Sequence, residues 1–282
     1  MNGLSSLLGL LGGFFIISLG IIDFNTGQWV PAFFNLQGLS VVLGGTLCAT
    51  MINYPINLVL GMFKPMLIAL TRQTSSPETV INQLVHLNTL HRDRGMLALE
   101  EEVCDLKNHY MFTGMQEVLI QKDSATLQQF MENEMHSIRL RHQTVHDMFY
   151  NMASYAPAFG MLGTVMGLIL MMTQQSQESA VAVYSAAQGG LDPMTKMLEG
   201  MGLALVTTFY GVLFSNLLFI PIAGKLKTLS DEEMWINDII MSGVVSLHQG
   251  DSPQRMKENL LTFVSRGLKQ KISAPVRDAS DE

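Results

Sequence analysis

The sequence predicts an all-α integral membrane protein with four transmembrane helices, a helical cytoplasmic domain between the second and third, and a helical cytoplasmic tail. Three observations predict this fold class. Only 15% of the 282 residues are charged, against about 25% in a typical soluble domain. Charges are absent from four long apolar stretches. The basic residues are gathered in two blocks, which indicates how the chain is oriented in the membrane.

The four apolar stretches are each about long enough to cross the hydrocarbon core, which takes roughly 20 apolar residues. They cover about residues 4–22, 36–55, 152–172 and 201–222. The second ends least sharply, because Asn53 and Pro55 interrupt its apolar run. A cleaved signal peptide is disfavoured, since the N-terminal segment has no basic residue and no small-residue cleavage site follows it.

The distribution of Lys and Arg predicts that both termini and the large middle segment are cytoplasmic. Eight of the seventeen basic residues lie between the second and third spans, and eight more follow the fourth. Only Lys196 falls in a segment assigned to the outside, and short external loops avoid basic residues. The loops 23–35 and 173–200 are therefore predicted to be external.

This layout divides the chain into four segments. They are an N-terminal transmembrane hairpin (1–62), a cytoplasmic helical domain (63–150), a second transmembrane hairpin (151–225) and a cytoplasmic tail (226–282). The net charge of −7 argues against a nucleic-acid partner, and membrane lipids are the expected surroundings. Cys48 and Cys104 fall in different environments, so no disulfide is expected.

The cytoplasmic domain has a helical pattern. A serine cap followed by Pro77 starts one helix, and the sequence HRDRG ends it. The sequence MLALEEEVCDLK starts a second helix. Asp123 and Ser124 can cap a third, which is long and is predicted to continue directly into the third span.

The tail is predicted to contain two more helices. Ser230, followed by three acidic residues, has the pattern of a helix start, and Ser252 before Pro253 has another. From about Ser273 onward the residues are polar and aperiodic, which is typical of disorder.

Small residues and prolines recur in the spans. Glycines such as Gly160, Gly163 and Gly167 let transmembrane helices approach closely, so plain helix packing is the favoured interpretation. Pro157 and Pro221 each remove a backbone donor and are expected to bend their helices. Both lie toward the predicted cytoplasmic face, where two bends at one depth would form a gate or hinge. They would equally mark the membrane boundary, and the residues alone leave both interpretations open.

Three threonines are candidate ion ligands. Thr164 lies in the third span, and Thr207 and Thr208 lie in the fourth. A hydroxyl can simply bond a carbonyl of the preceding turn, but hydroxyls on two helices can also replace water around a hard cation. None of the four spans contains an Asp, Glu, His, Lys or Arg, although such residues mark ion paths in membranes. Either the chain moves no ions, or another polypeptide supplies the carboxylate.

Several motifs resemble the MotA/PomA family of flagellar stator proteins. They are APAFGMLGTVMGL in the third span, ALVTTFYGVLFSNLLFIPIAGKL in the fourth, SVVLGG in the second and RGMLALEEE in the cytoplasmic domain. The resemblance covers nearly the whole chain, and is greatest to the sodium-type PomA branch. The wider relatives ExbB and TolQ share the last two spans but lack an N-terminal hairpin, so the four-span layout favours the stator branch.

The resemblance implies where the missing carboxylate lies. Family members form five-fold rings around two copies of a single-span partner, MotB or PomB, whose membrane aspartate binds and releases the ion. The ring is thought to rotate and to push on the rotor protein FliG through charged cytoplasmic residues. By this resemblance the chain is expected to form a homopentamer around a partner dimer in the bacterial inner membrane.

The resemblance also assigns site residues. Pro157 and Pro221 match the two functional prolines near the ion path, and Thr164, Thr207 and Thr208 match threonines tied to ion passage and selectivity.

In the cytoplasmic domain, Arg92 and Glu100 match the charged pair that faces the rotor, and Arg94 and Glu101 are expected to share that contact. The sequence departs from sodium-type members at three positions. Asp93 stands where they have a basic residue, and Val103 and Asn35 stand where they have acids.

The predicted function is therefore an ion-conducting stator subunit, with Na⁺ favoured over H⁺ as the transported ion and no other cofactor. No metal site is predicted, since His142 and His146 lack a third ligand. An energiser of the ExbB/TolQ kind and a non-conducting membrane scaffold remain as alternatives. An enzyme is disfavoured, because the spans hold no nucleophile–base pair.

Overall fold

The structure, a computed structural model, describes residues 2–22, 28–71, 76–120, 123–185, 193–265 and 269. Within these residues the secondary structure is helical, apart from one isolated antiparallel bridge between Ile22 and Trp29. The prediction of an all-α protein is confirmed. The tail from Ser273, which was predicted to be disordered, lies outside the described residues.

The N-terminal part contains a long apolar helix and a second helix that includes a wider turn. The elements in order are α1 (Asn2–Ile21), a 3₁₀ turn (Pro31–Phe33), α2 (Leu36–Leu39), a π-helical stretch (Ser40–Gly44), α3 (Gly45–Asn53), α4 (Ile56–Leu60) and α5 (Phe63–Thr71). Helices α2 and α3 continue through the π-helical stretch as one helix. It ends at Tyr54, which is extended because the residue before a proline avoids helical geometry.

Three helices follow, which are α6 (Pro77–Arg94), α7 (Met96–Val103) and α8 (His109–Ile120). The predicted end of α6 is confirmed. It lies at Gly95, whose φ of 80° falls in the region that favours glycine. Helix α8 was not predicted from the sequence. Its cap is Asn108, whose Oδ1 accepts a hydrogen bond of 3.1 Å from the N–H of Met111.

Helix α9 runs without a break from Ser124 to Ser185, a length of 62 residues. Its predicted cap is confirmed: Asp123 Oδ2 accepts hydrogen bonds from the N–H of Thr126 at 3.2 Å and from its hydroxyl at 3.0 Å. These bonds lower the pKa of Asp123, because they favour the charged carboxylate. The prediction that this helix continues into the third span is also confirmed.

The C-terminal part consists of α10 (Pro193–Leu213), a π-helical turn (Phe214–Phe219), α11 (Ile220–His248) and α12 (Pro253–Leu261). The predicted helix start at Ser230 is wrong, since α11 passes through it. No glycine or proline lies between Gly224 and Gly243 to stop the helix, and the Ser230 hydroxyl instead lies 3.2 Å from His142 Nδ1. The predicted start at Ser252 is confirmed, because its Oγ accepts a hydrogen bond from the N–H of Arg255.

Within the described residues, three helical stretches are long and apolar enough to cross a membrane. They lie in Pro31–Asn53, Ser124–Thr173 and Leu198–His248, and they contain the predicted third and fourth spans and all but the last two residues of the second. The first predicted span corresponds to a shorter apolar helix, Leu7–Ile21. The count of four spans therefore stays a prediction.

The chain folds into two compact units. The first comprises residues 1–73 and 143–227, and the second comprises residues 74–142 and 228–282. The first contains the predicted spans and is called the membrane unit below. The second is called the cytoplasmic unit after its predicted location. The four-segment division made from the sequence stays a prediction, because these units are defined by contacts and not by the bilayer.

The cytoplasmic unit has a core of large apolar side chains from α6, α7, α8, α9, α11 and α12. Fully buried members include Ile81, Leu84, Leu87, Leu99, Met111, Met115, Leu127, Met131 and Ile239. Burial of such side chains from water, worth about 1.5–3 kcal/mol each, is the main stabilising contribution in this unit.

Candidate functional site

Helices α9 and α10 form a close antiparallel pair through small residues. A Cβ added to Gly167 would lie 2.6 Å from the carbonyl oxygen of Gly200, and one added to Gly211 would lie 2.7 Å from that of Ala156. A Cβ on Gly160 would lie 3.0 Å from the carbonyl oxygen of Thr207. The two backbones are therefore in contact, and no larger side chain fits between them.

Thr207 lies inside this helix pair. It is fully buried, and a Cβ on Gly163 would come within 2.6 Å of its side-chain atoms. A Cβ on Gly38, in α2, would lie 3.1 Å from its methyl group. The hydroxyl donates to the carbonyl of Ala204 at 2.9 Å. Thr207 is thus a packing residue that joins three helices.

Thr164 and Thr208 are half-buried. The Thr164 hydroxyl donates to the carbonyl of Met161 at 2.6 Å, and the Thr208 hydroxyl donates to that of Ala204 at 3.3 Å. A hydroxyl has one proton and two lone pairs, so each oxygen keeps lone pairs for a water molecule or a cation. The structure brings Thr207 against α9 but shows no hydrogen bond between Thr164 and Thr208 in the described part of the chain.

Thr208 faces a cavity of about 490 Å³ between α1 and α10. Its lining is apolar except for Thr208 and Asn216, and the remaining lining residues are Ile17, Phe209, Val212, Leu213 and Leu217. The Asn216 amide donates to the carbonyl of Val212 at 2.9 Å. The two adjacent threonines therefore have different surroundings, because Thr207 is enclosed by helices and Thr208 borders a cavity.

The two prolines lie at different levels along the α9–α10 pair, and their role as a gate or hinge stays a prediction. Pro157 lies against Gly211, since a Cβ on Gly211 would be 3.1 Å from Pro157 Cα. Pro221 lies ten residues beyond Gly211, about 15 Å farther along a helix axis at 1.5 Å per residue. It follows the π-helical turn, in which the N–H of Ile220 bonds the carbonyl of Ser215. Proline has no N–H for the normal bond, which accounts for a wider turn beside it.

Sequence reasoning missed two polar groups in this unit. Ser215 is buried, and its hydroxyl donates to the carbonyl of Ala153 in α9 at 2.6 Å. Tyr210 is also buried, and its hydroxyl accepts from the N–H of Asn35 at 3.1 Å and donates to the carbonyl of Phe33. Asn35 itself caps α2, because its Oδ1 accepts from the N–H of Gly38. The pattern of a cap residue before an apolar run was the available signal for Asn35.

The predicted rotor-facing charges lie around one helix corner. Arg92 and Arg94 are in the last turn of α6, and Glu100 and Glu101 are in α7. Gly95 makes the turn between them, and all four charged side chains are exposed. The basic residues are at the helix end where the dipole favours positive charge. The corner therefore carries exposed charges of both signs.

The burial of Val103 gives a structural reason for one departure noted in the sequence analysis. Val103, at a position where the resemblance implied an acid, is buried together with Leu99 on the inner face of α7. An unpaired carboxylate there would be costly to bury. Asp93 is exposed, so its negative charge faces solvent and reduces the net positive charge at the end of α6.

The two histidines considered as metal ligands have other neighbours. His146 Nδ1 lies 2.9 Å from Asp147 Oδ1, and His142 Nδ1 lies near Ser230. Within the described residues, no three side chains of His, Cys, Asp or Glu are grouped as a metal site would need.

Residues 103–239 match the MotA/TolQ/ExbB proton channel family. Motility protein A of Treponema phagedenis is 31% identical to the chain over 271 residues, which cover 96% of this chain and 97% of that protein. The chain belongs to the MotA/PomA family of flagellar stator proteins. The chemotaxis protein PomA of Vibrio alginolyticus, also a relative, is 26% identical over 264 residues, or 94% of this chain and 96% of its own length.

The solved flagellar MotAB stator complex from Bacillus subtilis contains a chain with the same fold. The two chains superpose with a TM-score of 0.78 at 23% identity, over 95% of this chain and 98% of that one. At this identity the likeness establishes the fold alone. The predicted family resemblance is thus confirmed, whereas a sodium-type branch is not distinguished.

In this MotA/PomA chain, the family's two membrane motifs face each other. The APAFGMLGTVMGL motif supplies the glycines of α9, and the ALVTTFYGV segment supplies Thr207 and Gly211 of α10. The functional roles of Pro157, Pro221 and the threonines stay predictions, as do those of the four charges at the α6–α7 corner.

Proposed function

We propose that this chain is the ion-conducting stator subunit of a bacterial flagellar motor, set in the inner membrane, where it couples cation influx to torque on the rotor. The observation that carries the proposal is the relationship to motility proteins over almost the whole chain, from the N-terminal helix to the tail. A match confined to the last two spans would have favoured the wider TolQ/ExbB group equally.

The chain works with a partner that supplies the acid. Its predicted spans offer hydroxyl oxygens and prolines but no Asp, Glu, His, Lys or Arg. A single-span partner of the MotB/PomB kind, with one membrane aspartate, completes the path. Five copies of this chain surround two partner helices, so the ring and the partner differ in symmetry. When one aspartate is neutralised, the ring relaxes to a new position, and the second aspartate is then ready to bind the next ion.

The energy of each step comes from the membrane potential. One elementary charge that crosses the membrane releases about 2.3 kcal/mol per 100 mV. The residues of the chain couple this energy to motion through where they lie in the helix pair. Thr207 and the glycines of α9 and α10 hold the helix pair rigid, while Thr208 and Thr164 keep oxygen lone pairs beside the path.

Sodium is the favoured ion. Na⁺ needs oxygen ligands that a proton does not. The Thr164 and Thr208 hydroxyls each direct their proton to a carbonyl, and the lone pairs of each hydroxyl oxygen can coordinate a cation. Asn35 and Asp93 weigh against sodium, since they differ from the sodium-type pattern. Swimming measured against external sodium, with the proton gradient held fixed, decides the question. Speed that rises with sodium supports this choice, and speed indifferent to sodium removes it.

Motility restored in cells that lack their own stator genes tests the proposal as a whole. The chain expressed together with the product of its adjacent gene, if that gene encodes a single span with a buried aspartate, is expected to restore swimming. The same pair with the partner's aspartate changed to asparagine is the control, and it should assemble but not swim. A complex that assembles in the membrane and produces no torque would contradict the proposal.

Arg92, Arg94, Glu100 and Glu101 contact the rotor protein FliG. Exposed charge pairs contribute only about 0–1 kcal/mol each but steer encounter and register, which suits a contact that forms and breaks repeatedly. Arg92→Glu should reduce swimming without reducing the amount of stator in the membrane. Arg141→Glu, at another exposed arginine of the cytoplasmic unit, is the matched control and should swim normally. Equal loss in both variants would remove the assignment.

A second candidate is an energiser of envelope transport, because the matched family also contains TolQ and ExbB. The adjacent gene distinguishes the two. A partner with a peptidoglycan-binding domain indicates a stator, whereas a TonB-like or TolR-like tail indicates an energiser.

A further inference from the structure

The carbonyl of Ala153 has lost its normal partner in α9. In an α-helix this carbonyl accepts from the N–H four residues later, and that residue is Pro157, which has no N–H. Ala153 is buried in the membrane unit. Within the hydrocarbon region there is no water to satisfy a free carbonyl, and leaving one unpaired is costly.

Ser215 supplies the missing donor from the neighbouring helix. Its hydroxyl bonds the Ala153 carbonyl at 2.6 Å, although the two residues are 62 positions apart in the sequence. Ser215 is buried too, so the bond is shielded from solvent.

This bond differs from those of the neighbouring hydroxyls. Thr164, Thr207 and Thr208 each donate to a carbonyl three or four residues earlier in their own helix, which is the usual behaviour of a hydroxyl in a helix. Ser215 does not do so. Its proton goes across the helix interface to the one carbonyl of that turn which the proline has left without a donor.

The surrounding backbone makes this geometry available. Gly211 lies one turn before Ser215, and its missing Cβ lets α10 approach Pro157 to within van der Waals contact. Ser215 is the second residue of the π-helical turn that precedes Pro221, and its own carbonyl accepts from the N–H of Ile220. Each proline therefore contributes one part: Pro157 frees the acceptor, and the wide turn beside Pro221 holds the donor.

We propose that Ser215 is a positioning residue of the ion path, whose hydroxyl replaces the helical hydrogen bond removed by Pro157 and so holds the proline-containing turn of α9 against α10. The functional part of this inference rests on the proposed ion-conducting role. The hydrogen-bond part does not depend on that role and is tested separately.

A double-mutant cycle on the purified, full-length protein with its partner tests the replacement. Ser215→Ala should lower the thermal unfolding midpoint by several degrees, because a buried carbonyl is left unpaired. In a Pro157→Ala background, which restores an N–H to that carbonyl, the same change should lower the midpoint much less. Equal losses in both backgrounds would overturn the proposal. Ser40→Ala is the control, since Ser40 also lies in a π-helical stretch but bonds Gln37 in its own helix.

A spectroscopic readout reports the bond itself. Carbonyl-¹³C alanine combined with ¹⁵N serine selects Ala–Ser pairs, and the sequence has two, at 153–154 and 279–280. In an Ala279→Gly background, Ala153 is the only labelled alanine carbonyl that is followed by a labelled serine. Its ¹³C resonance should move upfield when Ser215 becomes alanine, and should not move in Ser40→Ala. A resonance unchanged by Ser215→Ala would contradict the bond.

Swimming speed then tests the functional part of the proposal separately from the hydrogen-bond part. Ser215→Ala stators that reach the membrane in normal amount should swim several-fold more slowly, and normal swimming would overturn the positioning role. If the chain proves to conduct no ions at all, the proposed function fails. The double-mutant cycle and the ¹³C resonance still test the hydrogen bond from Ser215 to Ala153 independently of that function.

Discussion

The backbone contact between α9 and α10 and the core of the cytoplasmic unit are built from different kinds of residue. Where α9 and α10 approach most closely the buried residues are small, such as Gly160, Gly167 and Gly211, although larger side chains such as Tyr210 are buried beside them, and Leu205 on the same α10 is 67% exposed. In the cytoplasmic unit Leu84 and Ile81 are fully buried.

The difference follows from the solvent on each side. Lipid tails are as apolar as leucine, so transmembrane helices gain little from burying large side chains and associate through close backbone packing. In water, the removal of apolar surface is the dominant favourable contribution. The same substitution should therefore have different costs in the two regions. Three predictions test this, and a fourth concerns the cap of α9; they run from the largest effect to the smallest.

Leu84→Ala should be the most damaging of these changes, with a loss of about 2–5 kcal/mol of unfolding free energy. The side chain is fully buried in the cytoplasmic core, and Gly243 of α11 packs directly on it. Leu205→Ala is the matched control and should have little effect, since its side chain is mostly exposed. Denaturant unfolding of the full-length protein in detergent measures both. A Leu205→Ala loss as large as that of Leu84→Ala would contradict the contrast between the regions.

Gly211→Ala should cost about 1–3 kcal/mol, the usual range for overpacking. Its new Cβ would meet the backbone of α9, 2.7 Å from the Ala156 oxygen, and backbone atoms cannot move aside alone. Gly202→Ala, on the same helix with nothing within 4 Å, provides the comparison and should be neutral or stabilising because alanine is the better helix former. The thermal unfolding midpoint distinguishes them, and a reversed order would show that backbone contact does not set this interface.

Gly114→Ala in the cytoplasmic unit should be tolerated. The new Cβ would lie 2.7 Å from the sulfur and terminal methyl of Met131, which are the flexible end of an adaptable side chain. The gain in helix propensity, up to about 1 kcal/mol, offsets the adjustment. A net change below about 1 kcal/mol is expected in the same unfolding assay. A loss equal to that of Gly211→Ala would mean that the cytoplasmic core is as rigid as the helix pair.

The smallest effect concerns pH. The pKa of Asp123 is lowered by its bonds to Thr126, so its contribution to α9 is present above the ordinary carboxyl pKa and is lost as the pH falls through the lowered value. Protection of the first amides of α9 against hydrogen exchange should therefore decline at acid pH. Asp123→Asn should show a weaker pH dependence at those amides. An identical pH dependence in both proteins would exclude the Asp123 carboxylate as its source.

Local signals in the sequence predicted the local structure well. The glycine after HRDR ends α6 because of its positive φ, and Asp123 starts α9 through a side-chain cap. The helix start predicted at Ser230 was wrong. A serine followed by acidic residues has the pattern of a helix cap, but nothing in the sequence interrupts the helix there. A cap side chain matters only where a helix actually begins.

The register of one helix against another could not be predicted from the sequence. Pro157 and Pro221 look equivalent as residues, but the register of α9 against α10 sets Pro157 beside Gly211 and leaves Pro221 farther along. The bond from Ser215 to Ala153 depends on the same register. Neither residue type nor spacing fixes that register, because it results from the close backbone contacts of glycines on two helices.

Flux of cations into liposomes tests the central claim most directly, namely that the acid of the ion path belongs to a partner. The purified chain alone should carry neither Na⁺ nor H⁺, because its predicted spans hold no Asp, Glu, His, Lys or Arg. Addition of the single-span partner should give flux that disappears when the partner's aspartate becomes asparagine. Cation flux through the chain by itself would contradict the account.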